Sequence, residues 1–280
     1  MKFANLALGA SLLTGFFAAP AMAASITNPT LGGANDVILY DSDGVYTFAN
    51  PGASLDSILA GDAGSPGGNI ELFASSEKPG ANFSTPTTLS GNLNGTSITL
   101  SSLTAADWDV FGVGWFTEFL DVALNSTGKF LAAQAGYGNL YSQFKSMGGP
   151  QTFSDPNISY VNQDDTTGEV TIGLAGHLNA HNRIKNILPS SLWSFLNPNI
   201  QASEIVKVLY GDEPAQYLWS FSATASGLVE ENDGVSHNGN YEVSFRGTLP
   251  PPEAVPEPTA VLGLVALGGM LVASKRKSVA

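Results

Sequence analysis

Val37-Ile-Leu-Tyr40, Asp41-Ser-Asp-Gly44 and Val45-Tyr-Thr-Phe48 follow one another without a break. Two β-branched and aromatic runs flank a cluster of turn formers, and that order predicts a β-hairpin. The same pattern extends outward from it. Ile70-Glu-Leu-Phe73 reads as a strand, and Thr87-Thr-Leu-Ser90 and Ser97-Ile-Thr-Leu100 flank turn residues between Gly91 and Gly95. Ile158-Ser-Tyr-Val161 and Glu169-Val-Thr-Ile172 flank a polar loop. Ile205-Val-Lys-Val-Leu-Tyr210, Tyr217-Leu-Trp-Ser-Phe-Ser222 and Tyr241-Glu-Val-Ser-Phe245 alternate or run apolar, as half-buried and buried strands do. The chain reads as mainly β: a single β-rich, sandwich-like domain with a few inserted short helices. No repeat of 20 to 50 residues is visible, which argues against solenoids and propellers.

Three stretches break the strand pattern. Thr104 is an N-cap candidate followed by acidic residues, and Trp115, Phe116, Phe119, Leu120 and Leu124 recur at helical spacing. Gly112 and Gly114 weaken the middle of that segment, so the helix is expected chiefly over residues 115–124. Leu140, Phe144 and Met147 suggest a second helix. Pro189, placed for a first turn, with Leu192, Trp193, Phe195 and Leu196, suggests a third. Trp115, Trp193 and Trp219 sit in apolar surroundings and read as core, whereas Tyr137, between two glycines, reads as an exposed ring. Gly148-Gly149 marks an alternative division of the body.

All 24 acidic residues lie between Asp36 and Glu257, while Lys2, Lys275, Arg276 and Lys277 are four of the 11 cations. The stretch between the terminal cations therefore carries a formal charge of −17, against −13 for the whole chain. Such a charge favours solubility and repels nucleic acid and anionic lipid headgroups. Cysteine is absent, so thiolate catalysis and thiolate metal sites are excluded. A body of this length needs no disulfide staple.

Catalytic motifs are missing. No Gly-x-Ser-x-Gly elbow, phosphate loop or dinucleotide fingerprint occurs. His177 and His181 stand at i, i+4, but Leu178 occupies the position where a zinc protease places its general base, and Gly173 and Gly176 argue against a long helix there. Two loop histidines are the simpler expectation, and the chain is not expected to be an enzyme. Paired carboxylates for glycoside hydrolysis are defined by their separation, which sequence does not give. No cofactor is implied except calcium. Asp41 with Asp43, and Asp164 with Asp165, cluster oxygen donors on tight turns as hard cations prefer, and Glu230 to Gly234 forms a third such loop. None completes an EF-hand, and the same residues are ordinary turn formers.

The two ends carry the address. Met1-Lys2, an apolar run over residues 6–19, and small residues at Ala21 and Ala23 have the order of a secretory signal peptide. Cleavage is expected after Ala23, with Ala24 as the neighbouring option. At the other end Val255, Pro256, Glu257 and Pro258 precede the apolar residues 259–273, and Lys275, Arg276 and Lys277 follow. Fifteen residues make a helix about 22 Å long, short of the roughly 30 Å hydrocarbon core. The helix is apolar all round, ends the chain, and can lengthen its span by snorkelling cations. A buried or interfacial helix is the alternative.

This order of Pro-Glu-Pro, short apolar helix and terminal basic cluster resembles the PEP-CTERM sorting signal of Gram-negative bacteria and cyanobacteria. The resemblance implies recognition by an exosortase, a membrane cysteine transpeptidase, which would cut within residues 256–258 and discard the anchor. Phe153-Ser-Asp-Pro-Asn-Ile-Ser-Tyr-Val-Asn-Gln-Asp-Asp-Thr-Thr-Gly168, through Gly176-His177, is similar to a block in cyanobacterial PEP-CTERM proteins and brings no activity with it. Four segments are then expected: a signal peptide (1–23), a β-rich extracytoplasmic domain (24–247), a Pro-rich stalk with the Pro-Glu-Pro motif (248–258), and a transmembrane helix with basic tail (259–280). The expected partners are signal peptidase, exosortase, extracellular polysaccharide and, transiently, the inner membrane, but no nucleic acid. The expected role is structural, adhesive or binding at the cell surface or in the extracellular matrix. A hydrolase of matrix glycans and a glycan-binding module are the alternatives.

Overall fold

Period-two alternation builds two sheets, and a helical insertion in the chain carries a second core. The structure is a computed structural model and describes residues 24–249, all within one compact unit that ends at Leu249. Ala21, Ala23, the Pro-Glu-Pro motif, the apolar tail helix and Lys275 to Lys277 lie outside the described residues.

The chain enters through β1 (Ala24–Ser25) and β2 (Thr27–Gly33) and forms the hairpin β3 (Val37–Ser42) and β4 (Tyr46–Ala49). A short helix, α1 (Leu55–Leu59), leads to β5 (Gly68–Leu72), β6 (Thr87–Leu93) and β7 (Thr96–Ser101). The insertion follows: α2 (Ala105–Ala123), α3 (Ser126–Ala135), α4 (Tyr137–Ser146) and α5 (Gly149–Thr152). Strands resume with β8 (Asn157–Gln163) and β9 (Glu169–Gly176), then α6 (His181–Lys185) and a 3-10 turn (Ser190–Phe195). The last strands are β10 (Val206–Tyr210), β11 (Gln216–Leu218), β12 (Ala223–Ala225), β13 (Val229–Glu230) and β14 (Gly239–Arg246).

The larger sheet runs β12-β14-β9-β8-β5-β3-β4-β13, with β1 also paired to β8, and the smaller runs β11-β10-β7-β6-β2. All pairs are antiparallel except β13 with β4. Ile70, Leu72, Ile158, Ile172, Leu174 and Val243 of the larger sheet share one buried cluster with Leu89, Ile98, Leu100, Val206 and Val208 of the smaller. Burying each such side chain contributes about 1.5–3 kcal/mol.

The second core is aromatic. Trp115 lies parallel to Phe119 at 5.2 Å between ring centroids and meets Phe153 edge-on at 4.6 Å. Trp108, Phe116 and Phe144 complete this group. Asp107 joins the start of α2 to the smaller sheet. Its Oδ2 accepts from the Thr104 N–H and hydroxyl at 2.8 and 2.7 Å. Its Oδ1 accepts from Lys207 Nζ and the Tyr217 hydroxyl at 2.7 and 2.8 Å.

Several sequence expectations need correction. Gly112 and Gly114 do not divide α2: a side chain at 112 would overlap Tyr141, while 114 faces open space. No short-helix pattern announced α3, whose N-cap is Asn125 accepting from the Gly128 N–H. The helix expected after Pro189 is a 3-10 turn, and Trp193 on it, expected in the core, is 43% exposed, with its indole N–H donating to the Leu188 carbonyl. The strand expected over Tyr217 to Ser222 stops at Leu218. Tyr137 is half-buried, packed against the helical core.

Candidate ligand-binding cavity

Strand alternation sends Ile70 and Leu72 into the core between the sheets and Glu71 to the opposite face. Register then sets a polar row across that face. Glu71 pairs with Asn157, Asn157 with Ala175, and Ala175 with Asn240. A register shift after Ile158 brings Tyr160 onto this face opposite Gly173, where any side chain would collide with its ring. Tyr160 donates to Glu242 and accepts from Asn240, both at 3.0 Å.

The face is not left to solvent. The segment from β12 through β13 to β14 folds over it, and His237, at a φ of 64°, is buried beneath. Its Nδ1 lies 2.7 Å from the Thr47 hydroxyl, and Tyr40 meets its ring edge-on. Beside this cover a cavity of about 380 Å³ opens at the end of the sheet where β5 finishes and β8 begins. Its walls include Glu71, Asp155, Asn157, His177, Arg183 and Glu204. A second cavity of about 430 Å³ shares Ser76, Glu77, Lys78 and Arg183 with it.

Arg183 comes from α6 and reaches Glu77 at 2.6 Å and Glu204 at 3.9 Å. Glu204 Oε2 accepts from Asn157 Nδ2 at 3.1 Å. Asp155 Oδ2 accepts from the Ser76 hydroxyl at 2.5 Å. Asp155 Oδ1 and Asn157 Oδ1 are buried and take no hydrogen bond, although the residues are only 4% and 7% exposed. A buried acceptor without a donor costs roughly 1–3 kcal/mol, so two in one wall need a reason.

Burial pushes the Glu71 carboxyl up to about 7, against the pull of Tyr40 and Arg183. Burial also raises Asp155 and Glu204, and their mutual repulsion holds Asp155 higher still. Both histidines at the cavity move the other way. Burial lowers His237 to about 4, and burial with the nearby Arg183 charge lowers His177. Burial therefore makes Glu71, Asp155 and Glu204 resist ionising and favours the neutral form of both imidazoles.

Three of the residues singled out for calcium accept hydrogen bonds within their own turns, and the fourth, Asp165, accepts one from the β6–β7 turn. Asp43 Oδ1 accepts from the N–H groups of Val45 and Tyr46, and Asp41 Oδ1 from that of Ser42. Asp164 Oδ1 accepts from Thr166 and Thr167, and Asp165 Oδ1 from Asn94 Nδ2. Among the described residues no group of three or more His, Asp or Glu side chains is arranged to hold a metal ion. Ala24 pairs with Gln163 as the first residue of β1. His181 bonds the Asn197 carbonyl and does not line the cavity, whereas His177 does.

Sequence reasoning missed Glu71, Asp155, Arg183 and Glu204. Glu71 looked like the solvent-facing residue of an alternating strand, and nothing local announces that a distant segment covers it. The usable signal was weak: each of Glu71 and Glu204 adjoins isoleucine, and Asp155 sits in the quoted Phe153 block.

Phe111, Tyr217 and Trp219 form a half-buried trio, with Phe111 stacked at 4.5 Å on Tyr217 and 5.9 Å from Trp219. Their faces largely satisfy one another. Among the described residues no helix is long and apolar enough to cross a membrane. No protein-family model, curated protein or solved structure matches the chain.

Proposed function

We propose that this is an exported binding protein of the cell surface or extracellular matrix, whose sandwich-like body takes a small, hydroxyl-rich ligand such as a sugar unit into the acidic cavity. The observation that carries the reading is the pair of unpartnered acceptors, Asp155 Oδ1 and Asn157 Oδ1, in the wall of that cavity. Hydroxyl and amide donors of a ligand would satisfy them, and Tyr40 and Ser236 at the rim add further hydrogen-bonding groups. The strongly acidic body suits a soluble, exported protein. The signal-like start and the PEP-CTERM-like tail support delivery through signal peptidase and exosortase, with the apolar tail helix as a disposable anchor. Calcium in the Asp41 or Asp164 turns is a lesser proposal, tested by melting with and without the ion at millimolar concentration.

The test is calorimetric titration of the exported protein, purified from the producing cells, with oligosaccharides cut from their extracellular polysaccharide. Saturable binding that Asn157→Leu removes is the expected result; no heat with any fragment overturns the reading. The terminal masses of the same sample report on sorting, and a chain still ending at Ala280 would overturn that part.

Hydrolysis of a matrix glycan is the second reading, favoured by Glu71. A carboxyl held near 7 inside a cavity with a second buried carboxyl has the character of a general acid. Release of new reducing ends during the titration separates the two readings.

A further inference from the structure

We propose that the cavity is built to receive a primary ammonium group, carried on a small polar body such as an amino-sugar unit. This rests on the cavity being a ligand site, as proposed above, and adds the charge of what enters it.

The argument is one of missing positive charge. Glu71, Asp155 and Glu204 line the cavity together, and Glu77, Glu230 and Asp233 line it as well. The cations facing them are Arg183 and Lys78. Arg183 is committed to Glu77 and Glu204, and among the described residues no ion pair reaches Asp155 or Glu71. His177, His237 and Tyr40 also face the cavity, and burial favours the neutral form of each, so they do little to offset the carboxyls. Burying several carboxyls around one cation is costly unless another charge completes the set. An ammonium group offers three donors and one positive charge, which suits the free Asp155 oxygen and a neighbouring carboxylate together. Anions would meet like charge, and neutral hydroxyls would leave the carboxyls protonated.

Entry of the ammonium should therefore expel protons. Wall carboxyls that hold a proton at pH 6 lose it to the buffer when the ligand charge takes its place.

The experiment is titration of the exported protein at pH 6 with three probes: a glucosamine trimer, the N-acetylglucosamine trimer and putrescine. Each is run in two buffers of different ionisation enthalpy, which reports proton release. The glucosamine trimer should bind at least tenfold more tightly than its acetylated counterpart and release a proton. Putrescine binding alone would support the ammonium site and overturn the sugar reading. Equal or tighter binding of the acetylated trimer would overturn the ammonium site and leave sugar binding standing. No binding by any probe overturns both. Asp155→Asn and Glu71→Gln, each checked for native circular dichroism, should weaken the glucosamine trimer tenfold or more. Undiminished binding in both variants also counts against the proposal.

Discussion

In α2 the glycines at 112 and 114 meet different surroundings, and the difference can be measured. At 112 an added methyl would push against Tyr141, whose hydroxyl donates to the Trp108 carbonyl at 3.1 Å. Gly112→Ala should therefore destabilise the protein by about 1–3 kcal/mol despite its better helix propensity. At 114 nothing lies within 4 Å, so Gly114→Ala should stabilise by about 0.5–1 kcal/mol. Denaturant midpoints of the two variants, moving in opposite directions, check this. Glu71 gives a second residue-scale prediction. Unfolded, its carboxyl titrates near 4.5; folded, near 7. Between those values the native state holds a proton that the unfolded chain has lost, so stability falls as pH rises through that window. His237 has the opposite sign: folded near 4 against 6.5 unfolded, it adds stability as pH rises to 6.5 and nothing beyond. From pH 6.5 to 8.5 the buried carboxyls remain, and Glu71 alone should remove about 1 kcal/mol, with Asp155 and Glu204 adding loss of the same sign. Glu71→Gln should show a shallower decline in urea unfolding across that range; an identical slope contradicts the assignment.

Elements show why some of the fold was legible in the sequence and some was not. The β3–β4 hairpin, β8 with β9, and β14 were readable because alternation and turn chemistry are local. The turn between β6 and β7 was narrower than expected: Asn94 and Gly95, both at positive φ, make it alone, and Gly91 to Leu93 continue the strand. Burial of Trp108, Trp115, Phe116, Phe119 and Leu120 in the helical core carries α2 through the two glycines where composition suggested a weak middle. The cavity was illegible because its four key side chains come from a strand, two loops and the five-residue helix α6, far apart in the chain and brought together only by the tertiary fold. At this scale Asp107 is the testable joint. Thr104→Ala removes one hydroxyl donor and should cost about 1 kcal/mol. Asp107→Ala frees the cap and strands the Lys207 charge and the Tyr217 hydroxyl, so it should cost roughly 3–5 kcal/mol. A double variant with Lys207→Met should recover part of that loss, measured by thermal unfolding.

For the body as a whole, Gln163 gathers the two ends. It pairs with Ala24 in β1, and its Nε2 donates to the Thr248 carbonyl at 2.6 Å. Thr248 in turn donates its N–H to the Tyr210 hydroxyl at 3.1 Å. Gln163→Leu should cost about 1–2 kcal/mol and make the peptide after Gly247 the first site of limited proteolysis. Mass spectrometry of the early fragments checks it; cleavage elsewhere first would contradict it. Gln163 closes β8, whereas Asn157 opens the same strand at the cavity, roughly 20 Å away by the usual rise per residue. Ala24 and Thr248 thus sit at one end of β8, and Asn157, in the cavity wall, at the other. A bulky label fixed at either Ala24 or Thr248 should therefore leave the acidic mouth open to its ligand.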